Sequence, residues 1–159
     1  MTEQAERAKV GDVAKDFALK DQNDKEFKLS EHKGKRILLS FHPMAWTGVC
    51  AKQMKSLEAN KDTFDLLNTV AVGLSVDSAP SKKAWADTLG IKDTSLLADF
   101  WPHGGVAKLF GIFREKSGIS ERANILVDEN GKIVFFKVYP IPELPDINEI
   151  IDFLKNLKR

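Results

Sequence analysis

The chain carries a single cysteine, Cys50, in the run Phe41-His42-Pro43-Met44-Ala45-Trp46-Thr47-Gly48-Val49-Cys50. One thiol forms no intrachain disulfide and no cysteine-rich metal site. It can supply a nucleophile, provided that its surroundings favour thiolate over thiol. A lone cysteine is by default a buried small hydrophobe, but the placing of this one argues for more. The run joins an apolar, strand-like pattern to a helical one, so Thr47 is placed to cap the helix and Cys50 falls at about its third position. Unpaired backbone N–H groups and the positive end of the helix dipole favour an anion there. Pro43 donates no backbone hydrogen bond and fixes its own φ, so it can end the strand and wall the sulfur off from water.

Other chemistries lack their residues. His32, His42 and His103 share no local ligand spacing, so no metal is expected. Neither G-x-G-x-x-G nor G-x-x-x-x-G-K-[ST] occurs, and no cofactor is expected. With 24 basic and 23 acidic residues the formal net charge is +1, which gives no field for a nucleic-acid partner. No apolar run reaches the roughly 20 residues that cross a bilayer, and the start MTEQAERAKVGD lacks the apolar stretch of a secretory signal. A cytoplasmic protein without membrane attachment is expected.

The elements around Cys50 follow from hydrophobic patterning. In 159 residues, 43% of them apolar, there is material for one continuous core. Residues 1–159 are expected to form a single domain, with 1–12 a loosely held arm. Phe17–Lys20 and Glu26–Leu29 flank a polar turn and predict a small hairpin. Arg36–Phe41 and Thr69–Ser75 are apolar at successive positions, as in strands buried on both faces. Between them, from about Thr47, Met54, Leu57, Phe64 and Leu67 mark one helical stripe. Strand, helix and strand form a βαβ unit with parallel strands.

Ser81–Leu89 predicts a second helix ended by Gly90, and Ser95–Ala98 a short third strand. Ala123–Val127 and Ile133–Val138 flank Asp128-Glu129-Asn130-Gly131, the signature of an antiparallel hairpin. Asp146 and Glu149 form a candidate capping box for a last helix, whose apolar face is Ile147, Ile150, Ile151, Leu154 and Leu157. Lys155, Lys158 and Arg159 suit its carboxyl end. The order βαβ, helix, hairpin, helix is that of an α/β, thioredoxin-like fold with a mixed central sheet flanked by helices.

The Cys50 segment resembles the active-site segment of the peroxiredoxin (AhpC/TSA) family: a proline, three residues, Thr or Ser, two residues, then the peroxide-attacking cysteine. Pro43, Thr47 and Cys50 match that pattern. Ser75-Val76-Asp77-Ser78 with Lys83-Ala84-Trp85, then Asp99-Phe100-Trp101-Pro102-His103-Gly104, then Arg122 before Ala123–Val127 continue it in the family's order over roughly residues 9–139. Ala45 to Cys50 and Phe100 to Gly104 are most similar to the one-cysteine bacterial type called alkyl hydroperoxide reductase E. Gln53 takes the place of the second cysteine of a thioredoxin C-x-x-C, which disfavours dithiol exchange.

The resemblance implies the family's N-terminal and central additions to the fold, and a thiol-dependent peroxidase acting on hydrogen peroxide or small organic hydroperoxides. It makes Cys50, Thr47, Arg122 and Pro43 the catalytic set. Arg122 would favour the thiolate and aim its donors at charge developing on the peroxide oxygens. Gln53 would support Arg122, where the family often has an acid. A resolving cysteine is missing: Lys55 occupies the place it has in one group, and the chain ends without the tail that carries it in another. Sulfenic acid at Cys50 would therefore need an external thiol, of thioredoxin, glutaredoxin or low-molecular-weight type. A homodimer is expected, with Trp46, Phe41 and Trp101 near the site. His42 is expected to pack beside the pocket rather than act as a base, and His103 to serve a loop or interface. The competing reading is a thioredoxin-like redox relay or partner-binding module with Cys50 as a sensor thiol.

Overall fold

An unbroken apolar run can be buried only where both faces of a strand are covered, and all six residues of Arg36–Phe41 are buried. The computed structural model describes residues 3–157. Along the chain, the hairpin β1 (Ala18–Lys20) and β2 (Glu26–Lys28) leads through a 3-10 turn to β3 (Arg36–Phe41), α1 (Gly48–Ala59), α2 (Lys61–Leu66) and β4 (Thr69–Ser75). Then follow α3 (Ala79–Leu89), β5 (Ser95–Ala98), α4 (Gly105–Leu109), β6 (Phe113–Arg114), β7 (Ile119–Ser120), β8 (Arg122–Val127), β9 (Ile133–Tyr139) and α5 (Ile147–Asn156). The central sheet has the order β5-β4-β3-β8-β9. Its β3, β4 and β5 are parallel, while β8 runs antiparallel to both β3 and β9.

Side chains alternate across a strand, and β3 divides the core accordingly. Ile37, Leu39 and Phe41 face a layer with Phe17, Phe27, Val106 and Phe110, from the entrance hairpin and α4. Leu38 faces Met54, Leu57, Trp85, Ile150 and Leu154, from α1, α3 and α5. Cys50 belongs to this second layer.

Several expectations are corrected in detail. The helix after Thr47 is two helices, because Asn60 leaves helical geometry (φ −105°, ψ 15°) while its amide donates to Ser56 O at 2.8 Å. Asn competes with the helix in this way through its short polar side chain. The helix expected from Ser81 begins at Ala79, since Ser78 caps it and Pro80 suits its first turn. Asp146 caps α5 by accepting from Asn148 N at 3.0 Å. Glu149 does not close a capping box; it accepts from Tyr139 O–H at 2.6 Å and from Lys137 Nζ at 2.8 Å. Lys158 and Arg159 lie outside the described residues. Elements α4, β6 and β7 are too short to show a period and have no counterpart in the sequence reading.

The amino-terminal segment differs most from expectation. Ala5 N donates to Lys108 O at 3.1 Å, Ala8 N to Phe110 O at 3.0 Å and Gly11 N to Ile133 O at 2.8 Å. Gln4 Oε1 accepts from Phe113 N at 2.7 Å. From Gln4 onward the segment is tied to the body rather than loose, by backbone bonds that a polar sequence does not advertise. It crosses Gly111, whose φ of 71° and bare Cα admit the chain: a Cβ there would lie 2.5 Å from Arg7 Cα and N. Gly111→Ala is expected to cost about 1–3 kcal/mol and to speed hydrogen exchange at the Ala5 and Ala8 amides. Unchanged protection at those amides would show that the segment is held some other way.

Candidate active site

The register of β3 with β8 builds the site. Leu38 pairs with Leu126 and Ser40 with Asn124, so alternation directs Arg122, at the head of β8, to the face that carries α1. Past Phe41 the chain turns through Pro43, which is buried, and starts α1 at Gly48, with Cys50 as its third residue. The strand ends and the helix start converge. Arg122 Nη1 lies 3.3 Å from Cys50 Sγ and donates to Gln53 Oε1 at 2.7 Å. Its Nε donates to Ile141 O at 2.9 Å.

Gln53 is fixed in turn. Its Nε2 donates to Ser40 Oγ at 2.8 Å and to Phe41 O at 3.1 Å, and Ser40 Oγ donates to Asn124 Oδ1 at 2.8 Å. Cys50, Gln53, Arg122, Ser40 and Asn124 are all buried. A buried guanidinium without a charged partner is costly. Here its acceptors are a carbonyl, an amide oxygen and the sulfur, and of these only the sulfur can become an anion.

Thr47 holds the N-cap position but not by its side chain: Thr47 Oγ1 donates to Met44 O at 2.9 Å. The hydroxyl therefore steadies the turn, and the first N–H groups of α1 receive no side-chain cap. The turn is also held from outside. Ala45 N donates to Asp77 Oδ2 at 2.8 Å, Ser75 Oγ to the same oxygen at 2.6 Å, and Trp46 Nε1 to Ser81 Oγ at 3.1 Å. That last bond belongs to a residue with φ 68°, a conformation rare outside glycine.

The structure thus brings Cys50 and Gln53 of α1 each into contact with Arg122 and sets Pro43 and Thr47 on the turn before α1. His42 packs beside the site as expected, its ring centroid 5.4 Å from that of Trp85. Phe41 is fully buried in the core and cannot contribute to a subunit contact, whereas Trp46, Phe100 and Trp101 are exposed. His103 lies in a loop, its Nε2 2.6 Å from Gly118 O.

Sequence reasoning missed Ser40 and Asn124, which look like ordinary strand residues, and it missed Lys82. Lys82, Trp85, Ala86 and Leu89 share one helical stripe, a signal that placed this lysine inward. Lys82 Nζ lies 3.1 Å from His42 Nε2, both side chains wholly buried. Burial pushes Lys82 down to about 7, opposed by the charges of Asp77, Cys50 and Asp99. Burial, then the charge of Lys82, holds His42 well below the usual imidazole range. Asp99, its carboxylate capping Val106 N and Ala107 N at 2.9 Å, is raised by burial to about 6.

A thioredoxin-like sheet that presents one cysteine at a helix start, against a buried arginine, defines the class of single-thiol redox proteins. Residues 10–136 match the AhpC/TSA family. The chain is 38% identical over 138 residues to alkyl hydroperoxide reductase E of Mycobacterium tuberculosis, covering 86% of this chain and 90% of that protein. It is 34% identical to the putative peroxiredoxin bcp of Haemophilus influenzae, covering 93% and 97%. Among solved structures, Enterococcus faecalis AhpC superposes with a TM-score of 0.84 at 26% identity, over 92% of this chain and 90% of that one. The reduced 2-Cys peroxiredoxin of Plasmodium vivax gives 0.83 at 28%, over 92% and 80%. The chain belongs to the AhpC/TSA family, the peroxiredoxins.

Arg122→Ala is expected to slow oxidation of Cys50 by about 100-fold, the scale of a lost transition-state donor. Stopped-flow tryptophan fluorescence measures the rate, with circular dichroism to check the fold. An unchanged rate would remove Arg122 from the chemistry.

Proposed function

We propose that this protein is a thiol-dependent peroxidase that reduces hydrogen peroxide or small organic hydroperoxides through Cys50. The observation that carries this reading is the 3.3 Å approach of Arg122 Nη1 to Cys50 Sγ, in a buried site where, among the described residues, the guanidinium has no carboxylate partner. The thiolate attacks one peroxide oxygen, an S–O bond forms and the O–O bond breaks. The other oxygen leaves as hydroxide or alkoxide and takes up a proton. Sulfur is oxidised to sulfenic acid and the peroxide is reduced.

Each residue has a part in that step. Arg122, oriented by Gln53 and Ile141 O, neutralises the thiolate and then faces the charge that moves onto oxygen. The uncapped first N–H groups of α1 add to the same field. Thr47 holds the turn through Met44 O and its hydroxyl oxygen still has lone pairs to accept with, while Pro43 is buried in the same turn.

With Cys50 the only cysteine, recycling falls to an external thiol. It attacks the sulfenic sulfur, releases water and leaves a mixed disulfide, which a second thiol reduces. A thioredoxin- or glutaredoxin-type protein or a small thiol supplies that chemistry. Exposed Trp46, Phe100 and Trp101 support a homodimer that covers them. Among the described residues no helix is long and apolar enough to cross a membrane, and a cytoplasmic setting suits a protein that must be re-reduced by thiols.

One equivalent of hydrogen peroxide is expected to convert reduced protein to a sulfenic acid that a trapping reagent labels at Cys50, with no labelling and no turnover in Cys50→Ser. Oxidation no faster than that of a free thiol would favour the relay reading, and turnover by Cys50→Ser would refute both.

A further inference from the structure

The peroxidase chemistry above makes no use of the buried basic pair behind the cysteine. His42 follows β3, its N donating to Leu74 O at 3.0 Å, and its Nε2 meets Lys82 Nζ of α3 at 3.1 Å. The pair lies in the interior beside Trp85, and Lys82 Nζ is 5.9 Å from the centre of that ring. Among the described residues no hydrogen bond of ordinary geometry reaches His42 Nδ1.

Counting hydrogens on these atoms limits the states available. If Lys82 is an ammonium, it donates to Nε2, and the ring must carry its own hydrogen on Nδ1, where the Ser40 backbone is the group that favours a proton on the ring. One positive charge is then buried, while the two remaining N–H groups are the same as in the neutral amine. If Lys82 is neutral, Nε2–H donates to it and Nδ1 is a bare lone pair. No charge is buried. The first state is favoured by negative charge nearby. The charged groups facing the pair are Cys50 of α1, Asp77 after β4 and Asp99 after β5, which favour the ammonium, and Arg122 of β8, which disfavours a charged His42.

Among the three anions, Cys50 is the one whose charge the reaction changes. Thiolate is negative and sulfenic acid is neutral, so oxidation removes one of the charges that hold a proton on the pair. We infer that His42 and Lys82 form a proton-holding pair coupled to the oxidation state of Cys50, loading a proton when the thiolate forms and releasing it when the thiolate is oxidised. The inference rests on the peroxidase reading. The overall step, thiolate plus ROOH plus one proton giving sulfenic acid plus ROH, consumes one proton, and the proton that the pair releases meets part of that demand, so less is drawn from the medium. Lys82 is a positioning residue here: it acts on the sulfur through charge, without contact, and linkage requires the coupling to be reciprocal.

The effect is confined to a window of pH. Well below neutrality the pair keeps its proton in both redox states, and well above it holds none in either. Between these limits, proton uptake on oxidation falls short of the thiolate fraction present before peroxide is added.

The test is a proton count. Reduced protein in weak buffer with an indicator dye receives one equivalent of hydrogen peroxide, and the thiolate fraction is read beforehand from its ultraviolet absorbance. For the wild type, uptake near pH 7 is expected to fall below that fraction by roughly a few tenths of a proton per Cys50, with the shortfall vanishing toward pH 5 and pH 9. In Lys82→Met uptake should equal the thiolate fraction at every pH. Lys82→Gln, which keeps a donor toward His42, carries the same expectation should the methionine variant not fold. Equality in the wild type, or a shortfall that persists in the folded variant, overturns the inference while leaving the peroxidase reading intact. Failure of peroxide to oxidise Cys50 overturns that reading, and the inference with it.

Discussion

A guanidinium held against a sulfur inside the protein is the constraint on which the rest of the structure depends. Arg122 is 2% exposed, and among the described residues no acidic side chain accepts from it: its acceptors are Ile141 O, Gln53 Oε1 and Cys50 Sγ. A charge so placed is tolerable only if its partners are fixed. That need accounts for the chain of bonds running from Gln53 to Ser40 and Asn124, residues that otherwise contribute little to a core of leucines and isoleucines. It also makes the β3 to β8 register indispensable, since a slip by one residue would turn Arg122 to the opposite face.

The turn from Pro43 to Thr47 is the second half of that arrangement. Its outer contacts come from β4 and α3, through Asp77 to Ala45 N and Ser81 to the Trp46 indole. The cysteine is thus positioned by three separate stretches of chain. Rigid support of this kind matters because donors aimed at developing charge act only when they need not reorganise.

Much of this was legible in the sequence, for physical reasons. The limits of β3, β4 and β5 follow from buried apolar runs, and Cys50 as third helical residue follows from the change of period after Pro43. Arg122 was not legible from patterning, because its partner lies 72 residues away and a lone arginine at a strand start carries no local signal; the family resemblance alone pointed to it. Thr47 suits a side-chain cap, yet its hydroxyl donates back to Met44 O instead of accepting from the first turn of α1, a choice between two short-range partners that composition does not decide. Phe41 is unavailable to the expected dimer contact, because its own strand is buried on both faces. Lys82 is the opposite case: a lysine suggests exposure, yet this one lies on the helical stripe that includes Trp85 and is wholly buried.

The central claim is that Arg122 acts as a fixed guanidinium and not as a positive charge alone. The rate constant for oxidation of Cys50 by hydrogen peroxide in Arg122→Lys tests it most directly. Lysine keeps the charge but loses the planar fork that bonds Ile141 O, Gln53 and the sulfur together. The account predicts a loss of about 100-fold, the same scale as removal of a preorganised donor. An Arg122→Lys protein that is oxidised at the wild-type rate would contradict it.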